Sequence, residues 1–238
     1  MSQNNKFVIE GGVVNQVREE VLCSIPLDDF LANLAKGMGT FSGMLPYNCL
    51  FITGAGKLNT FVVQLPPKQY PVKYSQRKSE TPVIDYRISI PFVQMYFVIL
   101  EATGTIKNVY MSCTKSLITK ETEPVYVPPF LNIFDNGVGK VCNGQMSINM
   151  ALPLNVRINQ YMSEFFVFMF NNDLQPTIPK GLERDQYKFM EDWHKKSAVD
   201  PLFGISSKVE YAPMMIDGEH QTVVSRARWI QSIEERNN

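Results

Sequence analysis

Residues 92–113 read FVQMYFVILEATGTIKNVYMSC, and this stretch decides the fold. Phe92 to Ala102 and Thr105 to Cys113 are rich in β-branched and aromatic residues, and Thr103-Gly104 supplies a turn between them. Arg87 to Ile90 adds a third strand-like run just before. Beyond about Pro153 the period changes. Leu154, Ile158, Tyr161, Met162, Phe165, Phe166 and Met169 recur at helical spacing and make one broad apolar face. Strands first and helices after is an α+β order: an antiparallel meander, Val83 to Val127, backed by a helix near Asn155 to Phe170. The β-α-β rhythm of a doubly wound sheet is missing. Tyr187, Met190 and Trp193 suggest a second helix after Pro179-Lys180-Gly181, and a third short element falls near Val223 to Ile233.

Upstream, the first eighty residues read as a β-rich extension with one helix, so the expected domains are 1–80 and 81–238. Phe7 to Ile9 and Val13 to Leu22 flank Gly11-Gly12, a hairpin signal. Leu27, Phe30, Leu31 and Leu34 form the stripe of a short helix, with Pro26 in its first turn and Gly37 at its end. Tyr47 to Thr53 and Leu58 to Leu65 flank Gly54-Ala55-Gly56 as a second hairpin. The polar run from Tyr74 to Pro82 is the best linker.

Composition narrows the function classes. The chain has 238 residues, with 23 Lys+Arg against 23 Asp+Glu, and 45% of it is hydrophobic. Zero net charge argues against a phosphate-gripping protein, so no nucleic-acid partner is expected. The N-terminus has no apolar h-region, and the longest apolar run, Pro91 to Leu100, is too short to span a bilayer. The expectation is a soluble, cytoplasmic protein with no membrane partner. Cys23, Cys49, Cys113 and Cys142 form no C-x-x-C, and with only His194 and His220 a metal site is not expected. The glycine-lysine segments at Gly54-Lys57 and Gly137-Lys140 lack the remaining residues of a phosphate-binding loop, and Gly39-Thr40-Phe41-Ser42-Gly43 has its serine one place late for a nucleophile elbow.

Cys142 is the candidate site. The segment 126–144, YVPPFLNIFDNGVGKVCNG, holds two prolines and three glycines before or around that thiol, which favours an ordered loop over a regular element. Scaffolded loops are favoured places for reactive groups, and Lys140 and nearby backbone N–H groups favour the thiolate, which is the nucleophile. Cys23, Cys49 and Cys113 lie in strand-like runs and read as small buried hydrophobes.

Pro128-Pro129-Phe130-Leu131-Asn132-Ile133, then Asp135-Asn136-Gly137, then Val141-Cys142, resembles the active-site segment of ubiquitin-conjugating enzymes. The closer likeness is to the prokaryotic ubiquitin-conjugating-like family D, protein B of plasmid-borne operons beside a ThiF-type activating enzyme. Leu65-Pro66-Pro67 and the run Phe165 to Phe170 carry the resemblance further, over roughly Cys49 to Asp173. Phe130-Leu131 stand where the eukaryotic enzymes have His-Pro, Gly139-Lys140 read as a two-residue insertion, and Asn171-Asn172 follow the aromatic run. The resemblance implies that Cys142 accepts a ubiquitin-like protein as a thioester and passes it to an amine. It also implies that Asn132 serves the oxyanion, that a ubiquitin-like protein and the activating enzyme are the partners, and that no cofactor is needed. Two other readings stand beside it: an inactive variant of that fold acting as a protein-binding module, and a cysteine hydrolase pairing Cys142 with His194 or His220.

Overall fold

The computed structural model describes residues 6–10, 13–17, 21–26, 46, 48–55, 58–75, 82–100, 102–118, 120, 122–134, 138–142, 146–167, 170–171, 174, 176–214, 216 and 224–237. The chain is α+β. At its start β1 (Lys6–Glu10), β2 (Val13–Val17) and β3 (Val21–Pro26) form an antiparallel sheet, with Gly11-Gly12 between the first two. The run Val13 to Leu22 is therefore two strands. Pro26 closes β3 in place of opening a helix; the stripe from Leu27 to Gly37 lies outside the described residues.

The central sheet is antiparallel, in the order β4-β5-β8-β9: β4 (Cys49–Ala55), β5 (Leu58–Leu65), β8 (Phe92–Leu100) and β9 (Thr105–Thr114). Between β5 and β8 the chain makes a second hairpin, β6 (Gln69–Ser75) with β7 (Ile84–Ser89). The two ladders share one register. Leu65 faces Val93 in the first, and Gln69 faces Ser89 in the second, four residues further along one strand and four back along the other. Ile90 N–H donates to the Lys68 carbonyl at 3.0 Å between them. β5–β6 and β7–β8 are thus two arms of one long hairpin. Pro66, Pro67 and Pro91 interrupt it because a proline has no N–H for the ladder.

This arrangement changes two details of the expected plan. The place beside β8 belongs to β5, and β7 pairs with β6. The polar run at 76–81 joins the arms of the hairpin, and residues on both sides of the expected boundary at 80 share one core. Phe61, Val63, Val72 and Tyr74 pack in the same cluster as Met95, Ile158 and Trp193.

Both faces of the central sheet are buried, which explains the continuous apolar run in β8. Side chains alternate across a strand. Val93, Met95, Phe97 and Ile99 enter one core, whose helical side is α1 (Leu154–Val167) and α2 (Phe189–Val199). Tyr96 and Val98 enter the other, with Trp229 and Ile233 from α3 (Arg226–Asn237). Short pairs complete the frame: β10 (Pro124–Val125) with β12 (Val224–Ser225), and β11 (Phe170–Asn171) parallel to β6. Phe165 and Phe166 are buried as the helical stripe requires; Met169 lies outside the described residues.

α2 also closes the outer edge of β7. Trp193 Nε1–H donates to the Ser89 carbonyl at 2.9 Å, Ser89 N–H to Ser197 Oγ at 2.8 Å, and Arg87 N–H to His194 Nδ1 at 3.1 Å. Side chains stand in for a neighbouring strand, so this edge is not open to pairing with another chain.

Candidate active site

The loop that carries Cys142 is built from main-chain bonds. Leaving β9, the chain returns so that Tyr126 pairs with Cys113, through N–H···O bonds of 3.0 and 2.9 Å. Pro128 and Pro129 then carry it to Phe130, which anchors the segment in the core. The Phe130 ring meets Phe165 at 5.8 Å, Phe166 at 5.6 Å and Trp193 at 6.3 Å. Burying such a ring among aromatics makes truncation cost about 3–5 kcal/mol.

From there the loop folds back on itself. Ile133 and Val141 form an antiparallel bridge, flanked by Phe134 N–H to the Lys140 carbonyl and Cys142 N–H to the Asn132 carbonyl, both 2.8 Å. The returning arm also docks on β9. Met111 N–H donates to the Gly139 carbonyl and Val141 N–H to the Val109 carbonyl, again at 2.8 Å. Gly139 has φ +70, and a Cβ there would lie 2.1 Å from the Met111 carbonyl oxygen, so only glycine fits. The segment read as an insertion, Gly139-Lys140, is thus the strap that holds the cysteine loop to the sheet. On its other side the Val138 carbonyl accepts Trp229 Nε1–H at 3.0 Å, tying the loop to α3.

Cys142 itself is half-buried and a free thiol. Its amide donates to the Asn132 carbonyl. Asn132 is buried, 8% exposed, and the contact between the two is main chain to main chain. The structure therefore brings both predicted residues together, and does so through backbone.

Tyr161 belongs to the site as well, although its helical spacing marks it only as core. Its ring packs edge-on against Phe97 at 5.3 Å, and Phe97 stands opposite Val109, whose carbonyl holds Val141. Burial, and secondly the Cys142 sulfur nearby, push the Tyr161 hydroxyl far above the ordinary tyrosine value. It stays protonated through the neutral range. The only clue in the sequence is that a tyrosine, with a polar tip, occupies a fully apolar stripe.

The other sulfurs and histidines stand elsewhere. Cys113 is fully buried, its thiol pushed up by burial, and it donates to the Val127 carbonyl at 3.4 Å. Cys49 is half-buried beside the main core, and Cys23 has no described side chain. His194 lies against Arg87 and the Tyr86 ring, 5.4 Å away, so it does not pair with Cys142. His220 and Asn172 lie outside the described residues. Among the described residues no group of His, Cys, Asp or Glu gathers to hold a metal, and no helix is long and apolar enough to cross a membrane. A cleft of about 410 Å³ lies away from the thiol, lined by residues that include Lys115, Glu123, Tyr126 and Tyr211. Comparison of the chain with known protein families, with curated proteins and with solved structures finds no match.

Proposed function

We propose that this chain is a conjugating-enzyme-like protein whose Cys142 carries a ubiquitin-like modifier as a thioester. The observation that carries the reading is the main-chain bond from Cys142 to Asn132, 2.8 Å, at the end of a loop strapped to β9. It holds a half-buried cysteine on a strapped loop next to an asparagine. The order of parts also supports it: an antiparallel sheet, a proline-rich segment, an asparagine, a glycine turn, the cysteine, then a helix on the sheet.

In this reading the Cys142 thiolate attacks the carbonyl carbon of the modifier's C-terminal residue, held as a thioester on the activating enzyme. A new S–C bond forms, the old one breaks, and the activating enzyme's thiolate leaves. An amine then attacks the same carbon and loses its proton, and Cys142 departs as thiolate. Splitting acyl transfer this way needs no metal or organic cofactor. In this reading the Asn132 side-chain amide serves the oxyanion in each step.

The test is incubation with an activating enzyme, ATP and a ubiquitin-like protein encoded nearby. Wild type gives an adduct that excess thiol cleaves, Cys142→Ser gives an ester that resists thiol, and Cys142→Ala gives none. Equal loading of the alanine variant, or no thiol-sensitive adduct with proven partners, replaces this reading with a protein-binding module.

A further inference from the structure

Arg157 is a cation almost removed from water. It sits one turn into α1 and is only 7% exposed, yet among the described residues no carboxylate pairs with it. One terminal nitrogen donates to the Gly104 carbonyl at 2.7 Å and touches Met150 Sδ at 3.6 Å. Its Nε–H is buried and has no acceptor. A buried guanidinium without a counter-charge is costly, and buried charges are normally paired.

Position gives this orphan a direction. Side chains on a helix lean toward its N-terminus. Arg157 leans that way, since it reaches Met150, which precedes the helix, and Gly104 in the β8–β9 turn. The first turn of α1 carries no acidic residue, and the first N–H groups of any helix lack partners within it. A guanidinium that reaches past the start of α1 and a helix N-terminus thus lie at the same end of the helix, and each favours an oxyanion. Burial also lowers the Arg157 pKa, as an uncompensated cation requires. The rim is open: Met150 is 49% and Val156 38% exposed.

We infer that the N-terminus of α1, with Arg157, is a binding site for an oxyanion, a phosphate or carboxylate group carried by a ligand. It is separate from the thiol chemistry and stands whether or not Cys142 is reactive. Gln160 Oε1, one turn further along α1, is also buried without a partner, and can take the Nε–H only by moving.

The experiment follows the Arg157 Nε–Hε resonance and the melting temperature of the full chain while inorganic phosphate is added, and separately acetate. A site filled tenfold over its dissociation constant raises the melting temperature by about 2–4 °C and shifts that resonance. Whichever anion acts at lower concentration identifies the ligand group. Arg157→Met abolishes the thermal response; if that variant fails to fold, the wild-type resonance alone decides. Glu101, close in sequence to Gly104, supplies the control. The inference falls if neither anion moves the resonance, if Arg157→Met responds equally, or if Glu101→Gln alone shifts the resonance as removal of a counter-ion would.

Discussion

The Cys142 amide donates to the Asn132 carbonyl at 2.8 Å, and the asparagine side chain takes no part in that bond. An asparagine that tied the loop through its amide would lose loop and activity together when truncated. Here the tie belongs to the main chain and survives a change of side chain. Asn132→Ala is therefore expected to leave melting and thioester loading nearly intact while slowing transfer to an amine by ~10² or more. A matching fall in melting temperature and loading would place Asn132 in the loop's framework and remove it from the chemistry.

Gly139 is the point where the loop is most easily broken. At φ +70 a side chain is strained, and its Cβ would collide with the Met111 carbonyl, which is fixed inside β9. Gly139→Ala should cost about 2 kcal/mol or more, combining left-handed strain with displacement of the strap. Alkylation of Cys142 should rise toward the rate of an unstructured thiol. Unchanged melting and alkylation would show that the strap does not hold the cysteine.

Trp229 makes a related prediction from the opposite face of the sheet. Its indole N–H holds the Val138 carbonyl at 3.0 Å, and its ring meets Tyr96 edge-on at 6.1 Å. Trp229→Phe keeps an aromatic ring but deletes the donor and some volume, at about 2 kcal/mol. Because the lost bond ends on the cysteine loop, hydrogen exchange at Val138 to Val141 should quicken more than exchange in α1. Equal change in both would mean only a general loss of stability.

The periodicities carried much of this architecture. Alternation and β-branching located β5, β8 and β9, and the stripe from Leu154 to Phe166 located α1, because these patterns arise from burial itself. Strand partners were harder to read. Pro66, Pro67 and Pro91 look like ends of elements, and only the shared register shows that β5–β6 and β7–β8 are one bent hairpin. At the site, Cys142 and Asn132 were legible as residue types in an unusual segment. The strap was not, because a glycine's φ and its distance from Met111 leave no mark in composition. Tyr161 reads as core because it is core, and its spacing on the helix carries no sign of the cysteine loop.

Three buried acids give a pH prediction whose sign can be worked out. Burial pushes the Cys113 thiol well above its ordinary value of 9.0, and the Tyr161 and Tyr211 hydroxyls above theirs of 10.0. In the unfolded chain these groups release protons near their ordinary values, whereas the folded chain keeps them. Above about pH 9 the unfolded state thus binds fewer protons, and stability falls with rising pH. Each group that is ionised unfolded and neutral folded contributes a slope of about 1.4 kcal/mol per pH unit. Urea denaturation should give a level midpoint from neutral pH to about pH 9, with a decline beginning there and steepening past pH 10. Cys113→Ala should lower stability at neutral pH, since it empties a core position, but delay the onset of the decline to the tyrosine range. A midpoint that stays level through pH 10.5, or an onset that Cys113→Ala does not move, would refute this account of the core.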